Sequence, residues 1–232
     1  MCGFACLWQH DDETLAKRMI EKIEHRGPDE TQVYRLPNVP AIMAHCRLSI
    51  IGPSDGSQPI YSADNILVAN GEIYNYNDLR AILGERIFQT RSDSETILHL
   101  FRSNQLRWVT KLDGMFAFVL ATPERIIAAR DPLGIKPLYW AATPEGGIAF
   151  ASEPKALLAG GYGARNLRGP ALLDYLVLGW CGGPRSAWEG IERLESGHRL
   201  HWSKETKART ECWWAPPLEP VSEPQGDEGL LE

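Results

Sequence analysis

The chain has 232 residues, 44% of them hydrophobic and 23% charged, the balance of an ordinary globular protein. Its net charge of −6 offers no basic excess for nucleic acid or an anionic membrane surface. No apolar run approaches the ~20 residues that cross a bilayer, and without a basic n-region and a long apolar stretch at its start no signal peptide is expected.

The five cysteines (Cys2, Cys6, Cys46, Cys181 and Cys212) are an odd number without framework spacing, which points to a reducing, cytoplasmic setting. No CxxC or His pair accompanies them, so no metal is expected.

In chain order, residues 3–9 read as a buried strand, short, apolar and aromatic. Asp11-Asp12 cap a predicted helix with Leu15, Met19, Ile20 and Ile23 on one face. The turn signal His25-Arg26-Gly27-Pro28-Asp29 ends it. Strands are predicted over 31–36, 41–48 and 65–70, the last terminated by Gly71. Helices follow near 77–83 and 94–103, with Asp93 as candidate N-cap of the second. Residues 114–121 form the strongest buried-strand pattern, extended into a meander by 125–130, 137–142 and 147–152. A helix near 169–178, with Leu172, Leu173, Leu176 and Val177 apolar, precedes a strand pair at 198–203 and 211–214. From Ala215 to Glu232, four prolines and five acids without Lys or Arg predict a disordered tail. Strands in two runs with helices between and after them suggest packed sheets covered by helices.

The chemistry centres on Met1-Cys2-Gly3. Removal of Met1 leaves Cys2 with a thiol and a free α-amine on adjacent carbons, a nucleophile with a built-in base. Asn70-Gly71-Glu72 follows an apolar strand and offers an amide donor with a freely placed backbone N–H, the parts of an oxyanion hole. Asn-Gly is equally the strongest short hairpin signal. The Arg47 fork suits a carboxylate, or a neighbouring acid at the surface. Asp93 is either an anchor for an ammonium or simply a helix cap. His45 and His99 lie beside apolar residues and read as structural, and the tryptophans as core. GxxxxGK[ST], GxGxxG and a Ser-Gly-Gly-Leu-Asp-Ser-like loop are absent, so no use of ATP is expected of this chain alone.

An ordered series carries a resemblance. It comprises Met1-Cys2-Gly3, His25-Arg26-Gly27-Pro28-Asp29, Ala44-His45-Cys46-Arg47-Leu48-Ser49-Ile50, Asn70-Gly71-Glu72-Ile73-Tyr74-Asn75 and Ser92-Asp93-Ser94-Glu95. Asp113-Gly114-Met115-Phe116-Ala117-Phe118, Ala129-Arg130-Asp131-Pro132-Leu133-Gly134-Ile135-Lys136-Pro137-Leu138-Tyr139 and Ala151-Ser152-Glu153-Pro154-Lys155-Ala156-Leu157-Leu158 continue it. The series resembles the glutaminase domain of class II glutamine amidotransferases, in the asparagine synthetase branch.

The resemblance implies an α+β fold, the four-layer αββα sandwich of N-terminal-nucleophile hydrolases. It implies a glutaminase domain over 1–165, a connector over 166–214 packed on it and leading toward a synthetase domain, and then the tail, 215–232. By motif match, Cys2 attacks the side-chain amide of L-glutamine, and Asn70 with Gly71 stabilises the oxyanion. Arg47 binds the α-carboxylate, Glu72 and Asp93 the α-ammonium. Leu48 and Ile50 line the pocket through backbone groups, and Arg26 sits on a covering loop. Ammonia passes to a separate synthetase partner, on which ATP and Mg are expected; this chain needs no cofactor. A homodimer is compatible with the series. Two alternatives stay open: an N-terminal-Cys amidohydrolase acting on another amide, and a non-catalytic remnant of a truncated synthetase.

Overall fold

The computed structural model describes residues 1–10, 12–49, 55–103, 107–143, 146–206 and 208–217. Ile50 and the tail from residue 218 therefore lie outside the described residues.

Period-two alternation builds the first layer. In β1 (Gly3–Trp8), Phe4, Cys6 and Trp8 point to one face, Ala5 and Leu7 to the other, and all six residues are buried. A strand covered on both faces reads as a continuous apolar run, which is why it stood out in the sequence. β1 pairs antiparallel with β3 (Ala41–Arg47) and β9 (Ile148–Ala151). With β2 (Glu30–Arg35), β8 (Tyr139–Ala142) and β10 (Glu192–Arg193), they form a sheet ordered β10-β8-β9-β1-β3-β2.

The second sheet is ordered β12-β11-β7-β6-β5-β4. It comprises β4 (Ile60–Ser62), β5 (Asn65–Ile73), β6 (Gly114–Ala121), β7 (Arg125–Arg130), β11 (His198–Ser203) and β12 (Arg209–Cys212). Phe4, Trp8, Met43, Phe150, Ile66, Val68 and Val119 meet between the sheets. The outer face of the first sheet is covered by α1 (Glu13–Glu21) and α4 (Pro154–Ala159), through Leu15, Met19, Ile20 and Leu157. The outer face of the second packs on α2 (Tyr76–Leu83) and α3 (Glu95–Arg102), through Leu79, Ile97, Leu98 and Leu100. Three apolar seams between four layers make the αββα sandwich predicted from the motif series. Residues 166–214, expected as a connector, supply β10 to one sheet and β11–β12 to the other; between them and α4 lies α5 (Gly169–Leu178).

Three local expectations are corrected. Gly71 does not end a strand, and Asn70-Gly71 is not a hairpin turn: β5 runs through both to Ile73, paired residue for residue with β6. Asp93 is not the N-cap of α3, a position held by Ser94. In α5, predicted near 169–178, Ala171 is the buried residue. Asp12 does cap α1, its carboxylate accepting from Leu15 N at 3.1 Å.

His45, read as structural, points between the sheets with Nε2 3.1 Å from the Ala69 carbonyl. Burial pushes its pKa down to about 4 from 6.5. The unfolded chain therefore takes up a proton on this ring that the folded chain refuses between those values. Stability from this group is full above about pH 6.5 and is lost as the pH falls toward 4, by at most about 3 kcal/mol. Denaturant unfolding at several pH values checks this: His45→Gln should show a shallower acid loss than the parent protein.

Candidate active site

The alternation that fills the core also aims the polar residues. Cys2 continues the inward series of Phe4 and Cys6; Arg47 continues Met43 and His45; Asn70 and Glu72 continue Ile66 and Val68; Met115 continues Val119 and Ala117. All of these therefore reach the same open end of the gap between the sheets. There they line a cavity of about 160 Å³, together with Met1, Leu48, Gly71, Ser92, Asp93 and Lys136 among others.

The start of β1 is held tightly. Arg26 Nε donates to the Cys2 carbonyl at 3.0 Å, and Arg26 Nη1 donates to Glu153 at 2.8 Å. Burial alone would raise the Glu153 carboxyl, but hydrogen bonds from Arg26 and Lys155 outweigh it and hold it below the usual range. Phe4 N donates to Ser152 Oγ at 3.0 Å, and the Cys46 thiol donates to the Gly3 carbonyl at 3.5 Å. Arg26 reaches Cys2 because Gly27 passes close to β3, where a Cβ would lie 2.4 Å from the Cys46 carbonyl carbon and oxygen. Arg26, expected among the substrate ligands on a covering loop, is not a described lining residue of the cavity; it fastens the backbone of Cys2 instead.

The Cys2 sulfur accepts from Leu48 N at 3.3 Å. All five cysteines are free. Burial pushes the Cys46 thiol up to about 11 and the Cys6 thiol well above its ordinary value, so neither readily forms a thiolate. Only Cys2 lines the cavity.

Asn70 is buried, and its Nδ2 has no hydrogen-bond partner among the described residues. Buried donors are almost always paired, so an orphan amide facing a cavity is a group awaiting a ligand. Gly71 has φ +149°, and a Cβ there would stand 2.0 Å from the Met115 carbonyl oxygen. Only glycine lets β5 and β6 approach so closely here.

Charges of both signs face the same space. Arg47 is buried, with Nη1 3.7 Å from Glu30. The Asp93 carboxylate accepts from Ile73 N at 2.7 Å. Burial pushes the Asp93 pKa up and the charge of Glu72 adds to this, against the backbone hydrogen bonds from Ile73 and Ser94. The motif Ser92-Asp93-Ser94-Glu95 owes its shape to Glu95, which accepts from Gln89 N, Thr90 N and Thr90 Oγ1 at 2.7–2.8 Å and lies 3.1 Å from His99 Nε2.

The cavity thus gathers Cys2, Arg47, Leu48, Asn70, Gly71, Glu72 and Asp93 in one lining. Sequence reasoning missed Gln58, Ser92, Met115 and Lys136. Gln58 Oε1 accepts from Ala69 N at 2.7 Å and steadies the residue before Asn70. Lys136 has its backbone clamped, its N donating to Asp131 Oδ2 at 3.0 Å and its carbonyl accepting from Arg130 Nε at 2.7 Å. Its Nζ lies 3.4 Å from the Met1 sulfur. The motif around Arg130-Asp131 carried the signal for Lys136; Gln58 had none. Among the described residues no group of three His, Cys, Asp or Glu is gathered as a metal ion requires. No described helix is long and apolar enough to cross a membrane.

Comparison with known proteins agrees with this geometry. The chain is 42% identical over 166 residues to an asparagine synthetase [glutamine-hydrolyzing] 2 of Oryza sativa subsp. japonica, covering 68% of this chain and 28% of the relative. A probable asparagine synthetase [glutamine-hydrolyzing] of Dictyostelium discoideum is 39% identical over 169 residues, covering 68% and 30%. The chain thus spans under a third of the length of the curated relatives it matches. In fold it is similar to a glutamine phosphoribosylpyrophosphate amidotransferase from B. subtilis, with TM-score 0.70 and 20% identity over 92% of this chain and 49% of that one. A family model described as glutamine amidotransferase domain matches residues 1–214, and the chain, with its N-terminal-nucleophile hydrolase fold, belongs to that family.

Proposed function

We propose that the protein hydrolyses the side-chain amide of L-glutamine through a Cys2 thioester and hands the ammonia to a separate acceptor-activating synthetase. The observation that carries this reading is the unpartnered Asn70 amide in the cavity that Cys2 lines. At about 10–15 Å³ per water-sized centre, the cavity has room for the roughly ten heavy atoms of a free glutamine.

Met1 stands at the cavity mouth and is 56% exposed, open to an aminopeptidase. After its removal the Cys2 α-amine takes the thiol proton and the sulfur bonds to the amide carbon. The carbonyl oxygen becomes an oxyanion that receives hydrogen bonds from Asn70 Nδ2 and Gly71 N–H. The amine passes its proton to the nitrogen, the carbon–nitrogen bond breaks, and ammonia leaves a thioester. Water then adds to the thioester, giving its proton to the amine; glutamate departs and the thiol is restored.

Arg47 holds the α-carboxylate, and Asp93 with Glu72 the α-ammonium. This pairing favours a free amino acid over other amides. Arg26 acts by positioning Cys2. The acceptor is an activated carboxylate, amidated as in an asparagine synthetase, with ATP and Mg on that partner; no cofactor is assigned to this chain.

Steady-state hydrolysis of glutamine and of glutaramate, the same chain without its α-amine, tests the reading. Glutamine should win by about 10- to 100-fold in kcat/KM, the worth of a charge-assisted hydrogen bond. Because the pKa of Asp93 is raised, its carboxylate is lost earlier than usual as the pH falls, so KM should rise on the acid side while kcat holds. Asp93→Asn should show a high KM without that acid limb. Equal turnover of the two amides would count against a site for an α-amino acid.

A further inference from the structure

A set of cations unrelated to the Cys2 site gathers on the outer helical layer of the first sheet. Arg18 lies in the last turn of α1 and Lys22 caps its end; Lys155 opens α4, and Arg165 follows in the loop after it. All four are exposed, and all line one cavity of about 630 Å³, against about 160 Å³ for the Cys2 cavity. Sites for small organic ligands span ~300–1,000 Å³. The helix dipole favours cations at the end of α1 but disfavours Lys155 in the first turn of α4. Like charges four residues apart, as in Arg18 and Lys22, also weaken a helix. Helix stability therefore does not account for the cluster.

Arg18, Lys22 and Arg165 have no hydrogen-bond or ion-pair partner among the described residues. Lys155 Nζ lies 3.0 Å from Glu153. Four cations thus meet one acid there, in a chain whose net charge is −6.

The scaffold beneath them is fixed. Arg165 sits between two backbone hydrogen bonds to one residue, Ala164 N donating to the Glu189 carbonyl at 2.8 Å and Glu189 N to the Asn166 carbonyl at 3.1 Å. This pairing seats Arg165 beside Trp188, whose backbone is held in turn: its N lies 3.1 Å and its carbonyl 3.0 Å from Ser186 Oγ. Half-buried Trp188 packs against the core beneath α1 and α4 and, with Leu158 and Ala159, gives the cavity its apolar lining.

We propose that this cavity binds a nucleoside triphosphate, with the phosphates among Arg18, Lys22, Lys155 and Arg165 and the base on Trp188. The guanidinium forks of Arg18 and Arg165 take phosphate oxygens in pairs. A triphosphate matches the positive charge that Glu153 leaves unanswered, and an inorganic polyphosphate would leave the apolar lining uncovered. An extended nucleic acid would face the negative charge of the rest of the chain. The ligand is held, not consumed, and side chains from three segments take the part that backbone N–H groups play in a phosphate loop.

Isothermal titration calorimetry of the full chain in magnesium-free buffer tests the site, with GTP and inorganic triphosphate as probes. GTP should bind about 10-fold or more tighter than inorganic triphosphate, the contribution of one base stacked on an aromatic side chain. Arg18→Gln and Arg165→Gln should each weaken both probes about 10-fold, the loss of a hydrogen bond between charged groups. Their Tm should match that of the parent chain, since both side chains are exposed. Arg209→Gln, which removes an exposed cation on β12, should leave binding unchanged. Equal affinity for the two probes would overturn the seat for a base. No heat from either probe, or equal weakening by Arg209→Gln, would overturn the cavity as a phosphate site.

Discussion

Replacing Cys2 by Ala is expected to abolish glutamine hydrolysis, with a fall on the order of 10⁶ in kcat, as when the nucleophile of a covalent hydrolase is removed. No other cysteine can substitute. Cys6 and Cys46 are buried with raised thiol pKa values, and Cys181 and Cys212 do not line the cavity. The fold should survive, because Ala keeps the carbonyl that Arg26 holds and loses the weaker sulfur contacts with the Leu48 backbone. Ammonia release and thermal unfolding, measured on the same sample, separate the two effects. Residual turnover near that of the parent protein would remove Cys2 from the chemistry.

Asn70→Ala should lower kcat by about 10²–10³, the loss seen when one oxyanion donor is removed, and leave KM near its starting value. The Asn70 Nδ2 has no hydrogen-bond partner among the described residues. Truncation removes an unpaired buried donor, so Tm should hold or rise. A residue kept for structure would show the reverse pattern, an unchanged kcat with a lowered Tm. Gly71→Ala, by contrast, forces a Cβ to 2.0 Å from the Met115 carbonyl at φ +149° and should disrupt the β5–β6 pairing. Kinetic readings at this end of the oxyanion site therefore come more cleanly from Asn70.

The sequence made the sandwich legible wherever a strand was covered on both faces. β1 and β6 read as apolar runs because each lies between the inter-sheet core and a helical layer. β4 was missed because three residues, one of them exposed, give too short a pattern. α4 was missed as a helix although its residues had been singled out as a motif; six residues carry little periodicity.

Asn70-Gly71 shows how local chemistry misleads. Asn-Gly signals a hairpin when the chain ahead of it is free to turn. Here the facing β6 strand supplies hydrogen bonds past Gly71, and the glycine serves close approach rather than reversal. Asp93 preceded a helix and read as a cap, yet its carboxylate turns to Ile73 N on the neighbouring strand. The placement of Cys2, Arg47 and Asn70 on one inward face follows from counting residues along β1, β3 and β5. Their convergence does not, since it depends on which ends of the two sheets coincide. Lys136 and Gln58 enter the cavity from loops, where no period exists to count.

The most direct measurement is the site of reaction with a glutamine-mimicking diazoketone, read by intact mass and peptide mapping. The expected product is one adduct per chain, on a terminal peptide that begins at Cys2 with Met1 gone, and excess glutamine should protect it. An adduct on any other cysteine, or full activity in a chain that retains Met1, would contradict a nucleophile activated by its own α-amine.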